Sequence, residues 1–500
     1  MEQHNHNYAQ ITNLPTLNIK SQLTLNIDSN THIKQVLNSE ACLIDAQVEP
    51  MQHKALVKGV IGVKVVYIDS DNMFNSLSES FNFSETISGE NINTESLISI
   101  SNNQILSTFE NDEKTINVSI DGFLEFICNY NINLNVFYPN NSELISKKST
   151  ISTYSCVQKL NKSVDYNFDF KLNSKINKIL SYDSKVVIED VKCCDGYLLV
   201  NGQIINTIIY EIDNDIDSVK CYNNSTPFKC EVEASNCDNE CMADISAYIN
   251  LNNTQISTDI NDNDTAFNIE YCIIINGGVY KNNTIDIVED IYSTTNFIDV
   301  INNEYTIYKK TPYVKLTENV DAEITLNDEL NVDEIIGMVN TRATTTQHII
   351  KNDNVVVEGV ISGNLLYLDD NRQIKHLDTQ VPFSIVIKQE LQNEICGINL
   401  SLIPTSCKCK IKRGNVLMID YELNINGNIY TQHQVQLIDS VKYGKNLDYG
   451  DIAFQIYIAH ANESVWDLCK RLHISQQQLI ESNPEIPSTY LGGEKIIIYR

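Results

Sequence analysis

Apolar and polar residues alternate along most of this chain in short runs rich in β-branched side chains, the period of a half-buried strand. Three runs share one scheme: Val57-Lys-Gly59-Val-Ile-Gly-Val-Lys-Val-Val-Tyr67, Val200-Asn-Gly202-Gln-Ile-Ile-Asn-Thr-Ile-Ile-Tyr210 and Val357-Glu-Gly359-Val-Ile-Ser-Gly-Asn-Leu-Leu-Tyr367. A tyrosine follows the first glycine by eight positions each time. A glycine at one fixed place in a strand predicts a bulge or the close approach of another backbone. Ahead of each run the spacing changes. Ile33, Val36 and Leu37, then Ile176, Ile179 and Leu180, then Val332, Ile335 and Ile336 stand at i, i+3 and i+4. That spacing predicts a short helix, with Thr31, Ser174 and Asn331 as N-caps. Behind each run, Phe83, Phe228 and Phe383 mark a further strand. Ile275-Asn276-Gly277 and Ile425-Asn426-Gly427 predict hairpin turns, because both turn residues accept positive φ.

The glycines lie 143 and 157 residues apart, a domain-sized period rather than that of a solenoid. The expected architecture is therefore mainly β: three tandem antiparallel β-rich domains, each with a short helix, over 16–150, 160–298 and 305–445. Residues 1–15, which include His4 and His6, are expected to be a disordered tail. The joints around Asn140 and Asn302 are polar but carry no Gly/Ser or Pro-rich linker, so the domains are expected to pack on one another.

The pattern changes again in the last fifty residues. A strand containing Ile456, Tyr457 and Ile458 precedes Asn462-Glu463-Ser464. Ser464 with Asp467, and Ser475 with Gln478, have the spacing of capping boxes. Trp466, Leu468, Cys469 and Leu472 repeat at helical spacing, as do Leu479 and Ile480. Asn483-Pro484 ends the second helix, and Ile496 to Ile498 closes the unit. The prediction is a βααβ domain over 452–500. Trp466, the sole tryptophan, reads either as core of this unit or as an exposed anchor for a partner.

A net charge of −29 and a pI near 4.6 argue against nucleic acid and anionic membrane as partners. The start of the chain has no basic and apolar leader, and no run reaches the roughly 18 apolar residues of a membrane span, so an intracellular protein is expected. The 14 cysteines match no standard zinc spacing and are expected to be buried or strand-face thiols. No nucleophile elbow, zinc-protease motif or phosphate loop occurs. Glu270-Tyr271 and Asp420-Tyr421 recur between copies, which suits structure better than catalysis. No catalytic residue, cofactor or metal is expected.

The C-terminal pattern resembles a LysM module. The β repeats resemble the SPOCS domain, and the combination is similar to the SipL-like spore-coat morphogenetic proteins of clostridia. The resemblance implies a non-enzymatic scaffold made in the mother-cell cytoplasm during sporulation and placed at the forespore surface. It implies that the LysM module binds the basement-layer coat ATPase, stage IV sporulation protein A, with other coat proteins as further partners. The partner-binding residues it implies are Ile456, Ile458, Asn462, Ser464, Val465, Trp466, Leu468, Asn483 and Pro484. LysM modules usually carry Gly-Asp-Ser/Thr where this chain has Asn462-Glu463-Ser464, a change that favours protein over glycan as ligand. The alternative is a peptidoglycan- or cortex-binding protein.

Overall fold

The computed structural model describes all residues except 1, 28–30, 72, 140–142, 213–218, 251–253, 261–263, 312, 328–329, 352–353, 389–393, 413–414, 449–453, 484, 486–490 and 500. The first copy comprises β1 (Glu2–Asn26), β2 (Ile33–Met51), β3 (Lys54–Asp69), β4 (Phe74–Ser88), β5 (Leu97–Asn111) and β6 (Thr115–Tyr138). The second comprises β7 (Leu144–Leu172), β8 (Lys178–Cys194), β9 (Tyr197–Glu211), β10 (Val219–Glu233), β11 (Cys241–Ile249), β12 (Gln255–Ile260) and β13 (Thr265–Ser293). The third comprises β14 (Asn296–Lys310), β15 (Val314–Thr325), β16 (Glu334–Lys351), β17 (Asn354–Leu368), β18 (Ile374–Lys388), β19 (Glu394–Lys412) and β20 (Val416–Asn446). Each copy packs an antiparallel meander (β2-β3-β4, β8-β9-β10 or β16-β17-β18) on a second antiparallel sheet.

The repeated glycines sit in the central meander strands, opposite Phe83, Phe228 and Phe383 in register. A Cβ on any of them would meet that phenylalanine ring and a backbone oxygen of the other neighbouring strand, Asp45, Val187 or Thr344. Close approach is therefore the reason for glycine here. Tyr67, Tyr210 and Tyr367 are buried against the cores of their own copies.

No copy contains the expected short helix. Ile33–Leu37, 176–180 and 332–336 lead into or lie within β2, β8 and β16. The cause is a β-bulge in each strand, with register shifts at Val36/Asn38, Ile179/Ser181 and Ile335/Gly337. A bulge breaks the two-residue period. Ile33 and Val36, with a further register shift at Ile33/Gln35 between them, share the core of their own copy, as do Ile176, just ahead of β8, and Ile179. The next residue, Leu37, Leu180 or Ile336, turns to a cluster shared by all three meanders. Helical spacing and bulged-strand spacing coincide.

The Asn-Gly hairpins are also absent. Asn276-Gly277 and Asn426-Gly427 lie inside β13 and β20, with φ of 145° and 147° at the glycines. A Cβ there would strike the backbone of Asp244 or Asn399 on the adjacent strand. The long strand runs on past this point, with the same partner in β13 and β6 and with a change from β15 to β14 in β20. The later half of β13 pairs with the first half of β7, that of β6 with the first half of β1, and that of β20 with β14. Residues 2–15 are thus part of β1 rather than a tail, because Glu2 to Leu14 pair with β6. The joints also move. Residues 144–172 form one strand of the second copy, and Asn302 lies within β14 of the third.

The three copies form a closed ring in which β4 lies against β8, β10 against β16 and β18 against β2. Their ladders share two apolar clusters, one around Tyr8, Leu134, Ile285 and Leu437 and one around Phe137, Val288, Ile291 and Ile438. Polar bonds tie each pair of copies: Lys178 Nζ donates to the Phe74 oxygen (2.9 Å), Asn426 Nδ2 to the Ile188 oxygen (2.9 Å), and Gln10 Nε2 to the Thr306 oxygen (3.0 Å). Among the described residues no helix is long and apolar enough to cross a membrane.

Candidate functional site

The chain ends in β21 (Phe454–Ile458), α1 (Val465–Leu472), α2 (Gln476–Ser482) and β22 (Lys495–Tyr499), in the expected βααβ order. Local chemistry explains the helix ends. Ser464 Oγ accepts from the Asp467 amide at 3.1 Å, and Ser475 Oγ accepts from that of Gln478 at 3.1 Å. Asp467 in the first turn of α1 and Lys470 and Arg471 in the last complement the helix dipole. His473 ends α1 in the left-handed region at φ 54°. Leu468, Cys469, Leu472, Leu479, Ile496 and Ile498 form the core.

The loop before α1 is tied inward. Asn462 adopts φ 62°, the conformation that glycine would take. Glu463 is buried and accepts from Arg471 Nη2 at 2.6 Å. The Arg471 guanidinium lies over the Tyr457 ring, 4.2 Å from its centre. Asn483 bonds β22 in both directions: its Nδ2 donates to the Ile497 oxygen (2.7 Å) and its Oδ1 accepts from the Ile497 amide (2.8 Å).

One side of the module is clamped to the second copy of the body. Trp466 Nε1 donates to Asp290 Oδ2 at 2.8 Å, and Lys470 Nζ meets Asp290 Oδ1 at 2.6 Å. The Trp466 ring stands edge-on to Tyr292, 5.1 Å between centres, and the Tyr292 hydroxyl donates to the Ile474 oxygen at 2.7 Å. Asp290 is aimed outward by a register shift between Val288 and Asp290 in β13. Burial opposes ionisation of its carboxyl, but the bonds from Lys470 and Trp466 outweigh burial and hold it below the usual carboxylate range.

The opposite side is bare. β21 and β22 form a two-stranded sheet pairing Phe454 with Tyr499 and Ile456 with Ile497. Phe454, Ile456 and Tyr499 are each more than half exposed, at 57%, 59% and 59%, and Ile458 and Ile497 extend the same stripe. Isolated exposed hydrophobes are ordinary, whereas a contiguous set on one face marks an interaction surface.

The residues implied by the LysM resemblance therefore separate. Ile456 and Ile458 lie on the stripe, Leu468 in the core, and Val465 and Trp466 beside the clamp. Ser464 caps α1, Asn483 latches α2 to β22, Asn462 is exposed, and Pro484 lies outside the described residues. Phe454, Ile497 and Tyr499 escaped sequence reasoning, although alternation across two short strands forces one side of each to face out. Asp290 and Tyr292 carried no local signal.

Residues 32–105 and 175–261 match the family model described as SipL, SPOCS domain. The matched segments hold β2 to β4 with part of β5, and β8 to β12, that is, the meanders of the first two copies together with strands of the second sheet. These parts of the chain are SipL-like. No curated protein and no solved structure matches the chain.

Proposed function

We propose that this SipL-like chain is a non-enzymatic scaffold of the spore coat, and that its LysM-type module docks on the basement-layer coat ATPase, stage IV sporulation protein A. The third copy, with the strand order of the two matched ones, acts as a further SPOCS-type unit. The working place is the mother-cell cytoplasm, at the forespore surface. The observation that carries the docking is the apolar stripe of Phe454, Ile456, Ile458, Ile497 and Tyr499, free while the α1 side is already occupied by the body. Glycan binding is the weaker reading, because Glu463 and Arg471 close the loop on itself.

The test is titration of full-length protein against the purified ATPase by surface plasmon resonance. Ile456→Ser with Ile458→Ser is expected to weaken binding at least about tenfold, the loss of roughly 1.4 kcal/mol or more, with unchanged circular dichroism. Unaltered binding by the double variant would remove the stripe from the account. Co-sedimentation with purified peptidoglycan, if retained by the same variant, would favour the glycan reading.

A further inference from the structure

Where the three copies meet they enclose a cavity of about 790 Å³. β2 and β5 of the first copy, β7, β8 and β11 of the second, and β16 and β19 of the third all contribute to its wall. One repeat position recurs in that wall. Cys42, Lys185 and Arg342 pair with Gly62, Ile205 and Ser362, each three residues beyond a repeated glycine. Two residues further along the same register stand Glu40, Asp183 and Val339. Three copies of one fold thus bring a thiol, an ammonium and a guanidinium to one level, and two carboxylates and an isopropyl group to the next.

The charges do not cancel. Arg342 Nη2 meets Glu40 Oε1 at 2.5 Å. Lys185 donates instead to neutral oxygens of Thr341, the hydroxyl at 2.9 Å and the carbonyl. Asp183 Oδ2 stays 3.6 Å from Lys185 Nζ, beyond a charge-assisted hydrogen bond. Lys64, opposite Glu40 in register, feels the charges of Glu40 and Asp183. Burial pushes both Lys64 and Lys185 below the ordinary lysine range. At the mouth Lys159 adds a further cation, bonded to the Ser96 oxygen at 3.0 Å, and Lys162 pairs with Glu233 at 3.7 Å. Asp45, between the wall residues Leu43 and Ala46 in sequence, accepts from the Tyr248 hydroxyl. A chain with a net charge of −29 has gathered excess positive charge around one cavity. Leu43, Val48, Ile98 and Leu402 make other parts of its wall apolar.

We infer that this cavity binds a small organic anion, its carboxylate or phosphate head between Lys185 and Arg342 and its apolar body against Leu43, Val48, Ile98 and Leu402. A volume of this size holds a metabolite-sized molecule, and a bound anion would give Lys185, whose hydrogen bonds now go to neutral oxygens, a charged acceptor.

The test uses the full chain and isothermal titration calorimetry at constant ionic strength. Phenyl phosphate and benzoate are the two anionic probes, and benzyl alcohol is the neutral control. At least one anion is expected to bind with Kd of about 1 mM or tighter, and the alcohol at least tenfold more weakly. Which anion binds identifies the head group. Lys185→Met is expected to weaken the anion about tenfold, the loss of one charge-assisted contact, and Lys159→Met about two- to threefold, the loss of one nearby charge at the mouth. Lys159 is exposed and contacts only a backbone oxygen, so its variant tests the site even where Lys185→Met fails to fold. Absence of binding by both anions overturns the inference. So does equal binding of the alcohol, or undiminished anion binding by every folded variant.

Discussion

The β body and the C-terminal module bury their apolar surface in different ways. In the body each copy has its own core, yet the clusters around Leu37, Tyr8 and Phe137 each draw on all three copies. The ring closes on itself, so removing one copy would expose apolar surface on both neighbours. The module has one small core, and Tyr292 and Ile145 of the body complete it. A unit of this size buries too small a fraction of its surface to be robust alone. The comparison implies that the body unfolds as one block and that the module comes away before it.

The largest test attacks the body. Gly202→Val places a branched side chain against the Phe228 ring and the Val187 carbonyl. Destabilisation of more than about 4 kcal/mol is expected, in the range of severe overpacking and strain, seen as loss of the main calorimetric transition. A main transition unchanged in temperature would show that the glycine position is not tightly packed. Next comes Leu468→Ala in the module core, where Leu468 is fully buried. It is expected to cost about 2–5 kcal/mol and to lower only the transition reported by Trp466 fluorescence, leaving the body transition in place. Coincident shifts of both transitions would mean that body and module unfold together.

The smallest effect belongs to the clamp. Asp290→Ala removes the acceptor of both Trp466 and Lys470 and is expected to cost about 1–3 kcal/mol of docking. The readout is a red shift of Trp466 emission without loss of helical signal. Acid should mimic it. The Asp290 pKa is held below its ordinary 3.8 in the folded state, so the unfolded chain binds the proton more readily. The stabilisation is full above that ordinary value and disappears as pH falls through the lower folded one. A Trp466 emission indifferent to both the variant and acid would dissolve the clamp.

The helix ends of the module were legible from sequence because they are local. Ser464 and Ser475 reach amides three residues on, whatever the rest of the chain does. The stretches at 33–37, 176–180 and 332–336 were not, because i, i+3 and i+4 describes a helix and a bulged strand equally, and the partner strand decides between them. Asn276-Gly277 shows the same limit: a local turn signal yielded to a long ladder with β7.

What the amino-acid order determined by itself was the strand content, the repetition of one unit around Gly59, Gly202 and Gly359, and the capped βααβ ending. Short-range sterics and hydrogen bonds suffice for these. Only the tertiary structure decided that the three units close into a ring, that a cationic cavity lies between them, and that Trp466 faces the body. Those outcomes depend on contacts between residues more than a hundred positions apart, for which neither composition nor periodicity carries a signal.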